Sequence, residues 1–269
     1  MIRILVADAS SIARDVVNDG INVHRSKRYI EVDIVNNGLA ALEVLKQKQI
    51  DLAFIDVNLP GLSGPEVVAS IRGTKSDKCL VVAMSNSLDE QAEVSLRRNS
   101  AYHFLKKPFH QDDVSNLVAT QIKMGTACPI LIVDDSATMR KMTRKILEGS
   151  RFSFDISEAD GAQSAIKAMR SGKFKLVLTD FHMPGADGLE LAGSIRDLSS
   201  KVGVYMMSTN ETSYLQRSAA FVGISGFLQK PFTPEDIDSV MHRFLQIDAP
   251  KFGKSRGMFS FDEPEMKAS

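Results

Sequence analysis

Four polar residues, each closing a short apolar run, return later in the chain at an almost constant distance. Asp8 follows the run 2–7 and Asp134 the run 130–133, 126 residues further on. Asp56 follows 52–55 and Asp180 follows 176–179, an offset of 124 residues. Ser85 and Lys107 reappear as Ser208 and Lys230, each 123 residues on. Chance does not keep four landmarks in register, and small insertions account for the drift, so the chain is a tandem duplication of one unit. Each run is short, mostly apolar and bounded by turn residues, as a strand buried on both faces should be. Helical patterns separate the runs. The expected class is α/β, with two tandem (βα)5 units, each a parallel sheet covered on both faces through right-handed crossovers.

A length of 269 residues accommodates two such domains with proper cores. Their expected extents are 1–124 and 129–248, joined by residues 124–128 and closed by Pro129, which cannot continue a helix. From residue 249 the pattern collapses into Ala-Pro-Lys-Phe-Gly-Lys-Ser-Arg-Gly, and a flexible tail is expected over 249–269. In the first half, Ser10 and Ser11 can cap a helix over 12–18, and a second strand runs over 30–35. Leu39, Leu42, Val44 and Leu45 mark the next helix, Pro60-Gly61 and Gly64-Pro65 turn into a helix over 66–71, and further helices are expected over 89–97 and 112–123.

In a parallel sheet the strand ends converge on one edge, where open α/β folds keep their chemistry. In the second half that edge gathers Asp134, Asp135 and Asp180 with Ser208 and Lys230. Three packed carboxylates repel one another unless a counter-charge intervenes. A hard divalent cation such as Mg2+ resolves the conflict, because it takes carboxylates and waters and shares itself with phosphate. A carboxylate beside Mg2+ can attack a phosphoryl group and form an acyl phosphate. Lys230 would then neutralise one phosphoryl oxygen, and the Ser208 hydroxyl would donate to another.

The second half carries Val133-Asp-Asp-Ser136 with Met139-Arg140, then Thr179-Asp180-Phe-His-Met-Pro184-Gly with Asp187-Gly188, then Lys230-Pro231-Phe232. With these motifs the chain resembles two receiver domains of bacterial two-component response regulators joined head to tail. The second half is similar to the chemotaxis regulator along nearly its whole length. The resemblance implies a flavodoxin-like sheet of strand order 2-1-3-4-5. It implies phosphotransfer to Asp180 from a histidine kinase or histidine phosphotransfer protein, with Mg2+ as cofactor. Asp135 would be a direct metal ligand, Asp134 would hold a metal water, and the His182 backbone carbonyl would complete the protein's share. Ser208 and Phe227 would move when Asp180 is phosphorylated.

The first half departs from this pattern. Aligning Asp8 with Asp134 puts Ala9 where Asp135 stands, so the direct metal ligand is missing. Asp56, Ser85, Lys107 and Phe104 remain, which makes Asp56 a second candidate phosphoacceptor in a degenerate site. One carboxylate fewer lowers Mg2+ affinity and removes part of the charge neutralisation. A first half phosphorylated weakly or not at all is therefore expected, acting as a regulatory or docking domain. Two alternatives stand beside it: Asp8 shifts into the vacated role, or both receivers are active in a phosphorelay or phosphate sink. A homodimer through the last helices is a further reading.

Lys plus Arg (33) cancels Asp plus Glu (33), so no global field draws nucleic acid. No apolar run reaches membrane-spanning length, and a cytoplasmic protein signalling to a downstream protein target is expected. An aspartyl-nucleophile phosphatase would need an acid two residues past the nucleophile, where this chain has Asn58 and His182. A turnover enzyme is accordingly not expected. A flavin site lacks its phosphate-cradling loop after the first strand. Cys79 and Cys128 give no metal spacing and no disulfide framework. The histidines at 24, 103, 110 and 242 share no spacing and read as surface or packing residues.

Overall fold

The computed structural model describes residues 1–26, 28–71, 74–184, 188–209 and 222–252. Among these, one compact unit comprises Met1–Lys123 together with 248–252, and the second comprises Met124–Ile247.

The first unit runs β1 (Ile2–Ala7), α1 (Ser11–Arg25), β2 (Ile30–Val35), α2 (Gly38–Gln47), β3 (Leu52–Asp56), α3 (Gly64–Ile71), β4 (Leu80–Ser85), α4 (Glu90–Arg98), β5 (His103–Lys106) and α5 (Gln111–Gly125). Its strands are all parallel, in the order β2-β1-β3-β4-β5. β3 and β4 are buried along their whole length, which is why their sequences run apolar without alternation. The edge strand β2 keeps only Ile30 buried.

α1 extends well past the expected stop at residue 18. Residues 18–20 stay helical, and Gly20 permits a close helix approach. A Cβ there would lie 2.6 Å from both the Gln111 carbonyl oxygen and the Val114 side chain. Ser10 caps α1 as expected, its hydroxyl accepting from the Ala13 amide at 3.4 Å. In α2 the buried face is Gly38, Ala41 and Leu45, while Leu39 is 62% exposed. The apolar cluster of this unit includes one residue from the far end of the chain: Phe252, 3% exposed. Residues 249–252 are thus packed into the first unit, and the rest of the expected tail, 253–269, lies outside the described residues.

The second unit repeats the plan with β6 (Cys128–Val133), α6 (Ala137–Gly149), β7 (Phe154–Ala159), α7 (Ala162–Met169), β8 (Leu176–Asp180), α8 (Gly188–Leu198), β9 (Gly203–Ser208), β10 (Gly226–Gln229) and α9 (Pro234–Phe244). Its order, β7-β6-β8-β9-β10, is again 2-1-3-4-5 with every pair parallel. A helix between β9 and β10, expected from the repeat, falls on 210–221, outside the described residues. Ser136 caps α6 through the Met139 amide at 3.4 Å, and Thr233 with Asp236 forms a capping box at α9. Both cysteines are free and buried, and burial pushes the Cys128 thiol up from its ordinary value. Among the described residues no helix is long and apolar enough to cross a membrane.

Candidate functional site

Strand register decides which acids meet. Val133 pairs with Thr179, so the next residues, Asp134 and Asp180, leave the sheet side by side. Ala7 pairs with Ile55 in the first unit and does the same for Asp8 and Asp56.

In the second unit Asp134 is 1% exposed, Asp135 is exposed and Asp180 lies between. One carboxylate oxygen from each lies within 4.8 Å of the others. Lys230 reaches in from the loop after β10, and its Nζ donates to Asp180 Oδ1 at 3.0 Å and to Asp134 Oδ2 at 3.2 Å. The Phe181 amide donates to Asp180 Oδ1 at 2.9 Å, and the Ser136 amide to Asp134 Oδ1 at 2.9 Å. Both contacts to Asp180 fall on Oδ1. The backbone after Asp180 turns back on itself, with the Gly188 amide donating to the Phe181 carbonyl at 3.0 Å. A Cβ on Gly188 would meet the Asp180 carbonyl oxygen at 2.6 Å, so glycine is required by space.

Ser208 ends β9, 3% exposed, and its carbonyl accepts from the Lys230 amide at 2.8 Å. That bond sets the base of the lysine beside the serine. Phe227, 4% exposed, belongs to the apolar cluster with Leu131, Val177 and Met206. His182 is exposed, its ring edge-on to Phe181 at 4.5 Å between centroids.

The first unit is built alike but with one acid fewer. Lys107 Nζ lies 2.6 Å from Asp8 Oδ2 and 3.2 Å from Asp56 Oδ1. Asp8 is fully buried, and Ala9 presents a methyl group where Asp135 presents a carboxylate. Ser85, 1% exposed, accepts a bond from the Asn58 amide nitrogen at 3.3 Å. Phe104, 9% exposed, packs in the core of that unit.

Two arginines support these loops without having been singled out as site residues. Arg140 Nη1 donates to the carbonyls of Asp134 at 2.8 Å and Asp135 at 3.3 Å. Arg14 does the same for Asp8 at 2.7 Å and Ala9 at 3.0 Å. Each stands six residues past the first acid, a shared offset that was the available signal. Arg140 Nε also bonds Glu158 at 3.3 Å, and the Arg144 and Arg140 guanidinium groups hold the Glu158 carboxyl below its usual range.

The donor set suits Mg2+: hard carboxylate oxygens on a rigid sheet edge, one buried and one exposed, leaving room for waters. Among the described residues Asp134, Asp135 and Asp180 are the one group of three acids close enough to share an ion. Each of two doubly wound sheets thus gathers acids, a hydroxyl and a lysine at its carboxyl edge. The chain belongs to the response regulator receiver domain family, which matches it over residues 4–119 and again over 130–242.

It is similar to the chemotaxis protein CheY-3 of Vibrio cholerae, at 37% identity over 120 residues, 42% of this chain and 92% of that protein. It is also similar to the chemotaxis protein CheY of Pseudomonas aeruginosa, at 34% identity over 44% of this chain and 95% of the relative. A solved two-component response regulator/GGDEF domain protein shares the fold, with a TM-score of 0.57 at 22% identity over 91% of this chain and 98% of that one. The protein is therefore a tandem receiver of the chemotaxis-regulator-like kind. Receiver domains are phosphoacceptors in two-component signalling, and they generally bind Mg2+ through an acidic pocket of this composition.

Proposed function

We propose that this chain is a response regulator whose phosphoacceptor is Asp180 and whose output is a phosphorylation-controlled protein contact. The observation that carries the reading is Lys230 spanning Asp134 and Asp180 beside the three-carboxylate cluster. Asp134, Asp135, Asp180 and the His182 backbone carbonyl would hold Mg2+, which would supply positive charge to the phosphoryl oxygens. With Lys230 and the Phe181 amide on Asp180 Oδ1, the other carboxylate oxygen is the nucleophile. It forms a bond to phosphorus as the P–N bond to a phosphohistidine breaks, and the imidazole leaves with the electron pair and takes a proton. Lys230 then neutralises one phosphoryl oxygen. The Ser208 hydroxyl turns to donate to another, and Phe227 follows into the vacated space, shifting a pre-existing two-state equilibrium.

The donors are a histidine kinase or a histidine phosphotransfer protein, and the output is a downstream protein target. The first unit, lacking a counterpart of Asp135, is phosphorylated weakly or not at all and serves as the regulatory or docking domain. A relay or phosphate sink using both receivers is the second reading, favoured by the retained Asp8–Lys107–Asp56 arrangement. Labelling the full chain with acetyl phosphate and Mg2+, then mapping the modified aspartate by mass spectrometry, tests both. Modification at Asp180 that disappears in Asp180→Asn supports the first reading, equal modification at Asp56 favours the second, and labelling elsewhere overturns both.

A further inference from the structure

The segment 248–252 stands apart from everything the phosphoacceptor reading uses. It lies at the far end of the sequence, yet it is part of the first unit. Its backbone is bracketed by one residue beside β5. The Tyr102 hydroxyl donates to the Asp248 carbonyl at 3.0 Å, and the Lys251 amide donates to the Tyr102 carbonyl at 2.9 Å. β5 is the edge of its sheet, so the segment supplies a donor to a strand edge that would otherwise face solvent. Phe252 is the anchor, 3% exposed in the apolar cluster that contains Ala92, Leu96, Ala101 and Phe104.

Two cations complete the grip. The Arg97 guanidinium of α4 lies 5.9 Å from the centroid of the Phe252 ring. In the opposite sense, Lys251 Nζ lies 5.0 Å from the centroid of the Phe104 ring. Backbone bonds to a strand edge, an aromatic side chain in a pocket and flanking cation–π contacts are how a peptide ligand is recognised. A tail held only by chance collapse would not bring all three. Lys251 and Asp248 are also felt by the half-buried His103 imidazole: burial first, then the Lys251 ammonium, lowers its pKa, and Asp248 opposes.

We propose that residues 248–252 are a tethered peptide ligand of the first unit, seated by Phe252 in a slot between α4 and β5. While seated, the segment fixes the Phe104 ring under Lys251 and excludes any other segment from the slot. This inference concerns the occupancy of one surface and stands whether or not Asp56 or Asp180 accepts phosphate.

The test is hydrogen–deuterium exchange on the full chain. Phe252→Ala removes the anchor, and exchange across 90–105 and 248–252 is expected to rise by about 100-fold or more, as for loss of a buried phenylalanine. A synthetic peptide spanning 246–254, added in excess, is expected to restore protection over 90–105 in that variant and to leave the natural chain unchanged. Unaltered protection in Phe252→Ala overturns the proposal, as does an equal response of the natural chain to the peptide. Lys251→Glu keeps the apolar core intact and guards against a folding defect. It is expected to raise exchange over 248–252 about 2- to 5-fold through the lost cation–π contact, and no change there overturns the role of Lys251.

Discussion

Lys107 and Asp8 form a 2.6 Å ion pair at a position where Lys230 and Asp134 stand 3.2 Å apart. The lysine of the first unit also reaches Asp56 at 3.2 Å, so two carboxylates and one ammonium make up its site. In the second unit Asp135 adds a third carboxylate, and the balance of charge there calls for a divalent cation. The two sites thus differ in carboxylate number through the side chain at Ala9.

Ala9→Asp restores the third carboxylate at an exposed position, where the added charge meets water and not the core. The Mg2+ affinity of the first unit is expected to rise roughly 10-fold or more, the usual scale for a change in a metal site's ligand support. Acetyl phosphate should then label Asp56 alongside Asp180. Peptide mapping of the labelled chain checks it, and Asp56 labelling unchanged by the substitution would show that the missing ligand is not what limits the first unit.

Lys230→Ala removes the ammonium that bonds both Asp134 and Asp180. Mg2+ should bind at least as well, because a competing cation has left the carboxylates. Phosphorylation of Asp180 should slow about 100- to 1000-fold, the cost of losing one preorganised charge partner in the transition state. Calorimetric Mg2+ titration paired with the labelling rate separates the two effects. Loss of Mg2+ binding together with the rate would instead assign Lys230 to holding the site's shape.

Much of this site was legible because the chain states it twice. A lone acid at a strand end carries little information, whereas Asp8 with Asp134, Asp56 with Asp180 and Lys107 with Lys230 marked corresponding strand ends in two copies of one unit. The failures have a shared cause. The first helix was expected to stop at residue 18 and continues through Gly20, a contact point for α5, and residues 249–252 were expected to be a loose tail and are packed. Each depends on a partner remote in sequence, which local pattern cannot supply. Arg14 and Arg140 escaped for another reason: they act through backbone carbonyls, which leave no mark on the sequence of their partners.

Gly188→Ala tests the turn that presents Asp180. The new Cβ would meet the Asp180 carbonyl oxygen at 2.6 Å, and backbone cannot give way as a flexible side chain can. A loss of about 1–3 kcal/mol in stability is expected, the range for overpacking a tight site. Gly64→Ala should act in the same way in the first unit, where the distance to the Asp56 carbonyl is 2.3 Å. Denaturant unfolding of the full chain measures both, and a stability within error of the natural chain would mean that the loop shifts freely.

The acid response of the second unit should be set by a buried histidine and a half-buried aspartate on α9. The His242 ring is 4% exposed and edge-on to Phe152 at 5.1 Å, and its Nδ1 donates to the Asp238 carbonyl at 2.6 Å. Burial lowers its pKa from the ordinary 6.5, so the unfolded chain takes up a proton there before the folded one does. Stability is therefore lost as pH falls through 6.5 towards the lowered value. Asp238, bonded by the Ser150 hydroxyl at 2.6 Å, works in the opposite direction. Burial raises its pKa above 3.8, so its contribution is present at low pH and is lost as pH rises through the raised value. Thermal melts of the full chain between about pH 5.5 and 7.5 cover the window in which histidines titrate, where the lowered His103 contributes as well. His242→Gln should flatten the slope there, and a slope equal to that of the natural chain would mean that the imidazole titrates alike in both states.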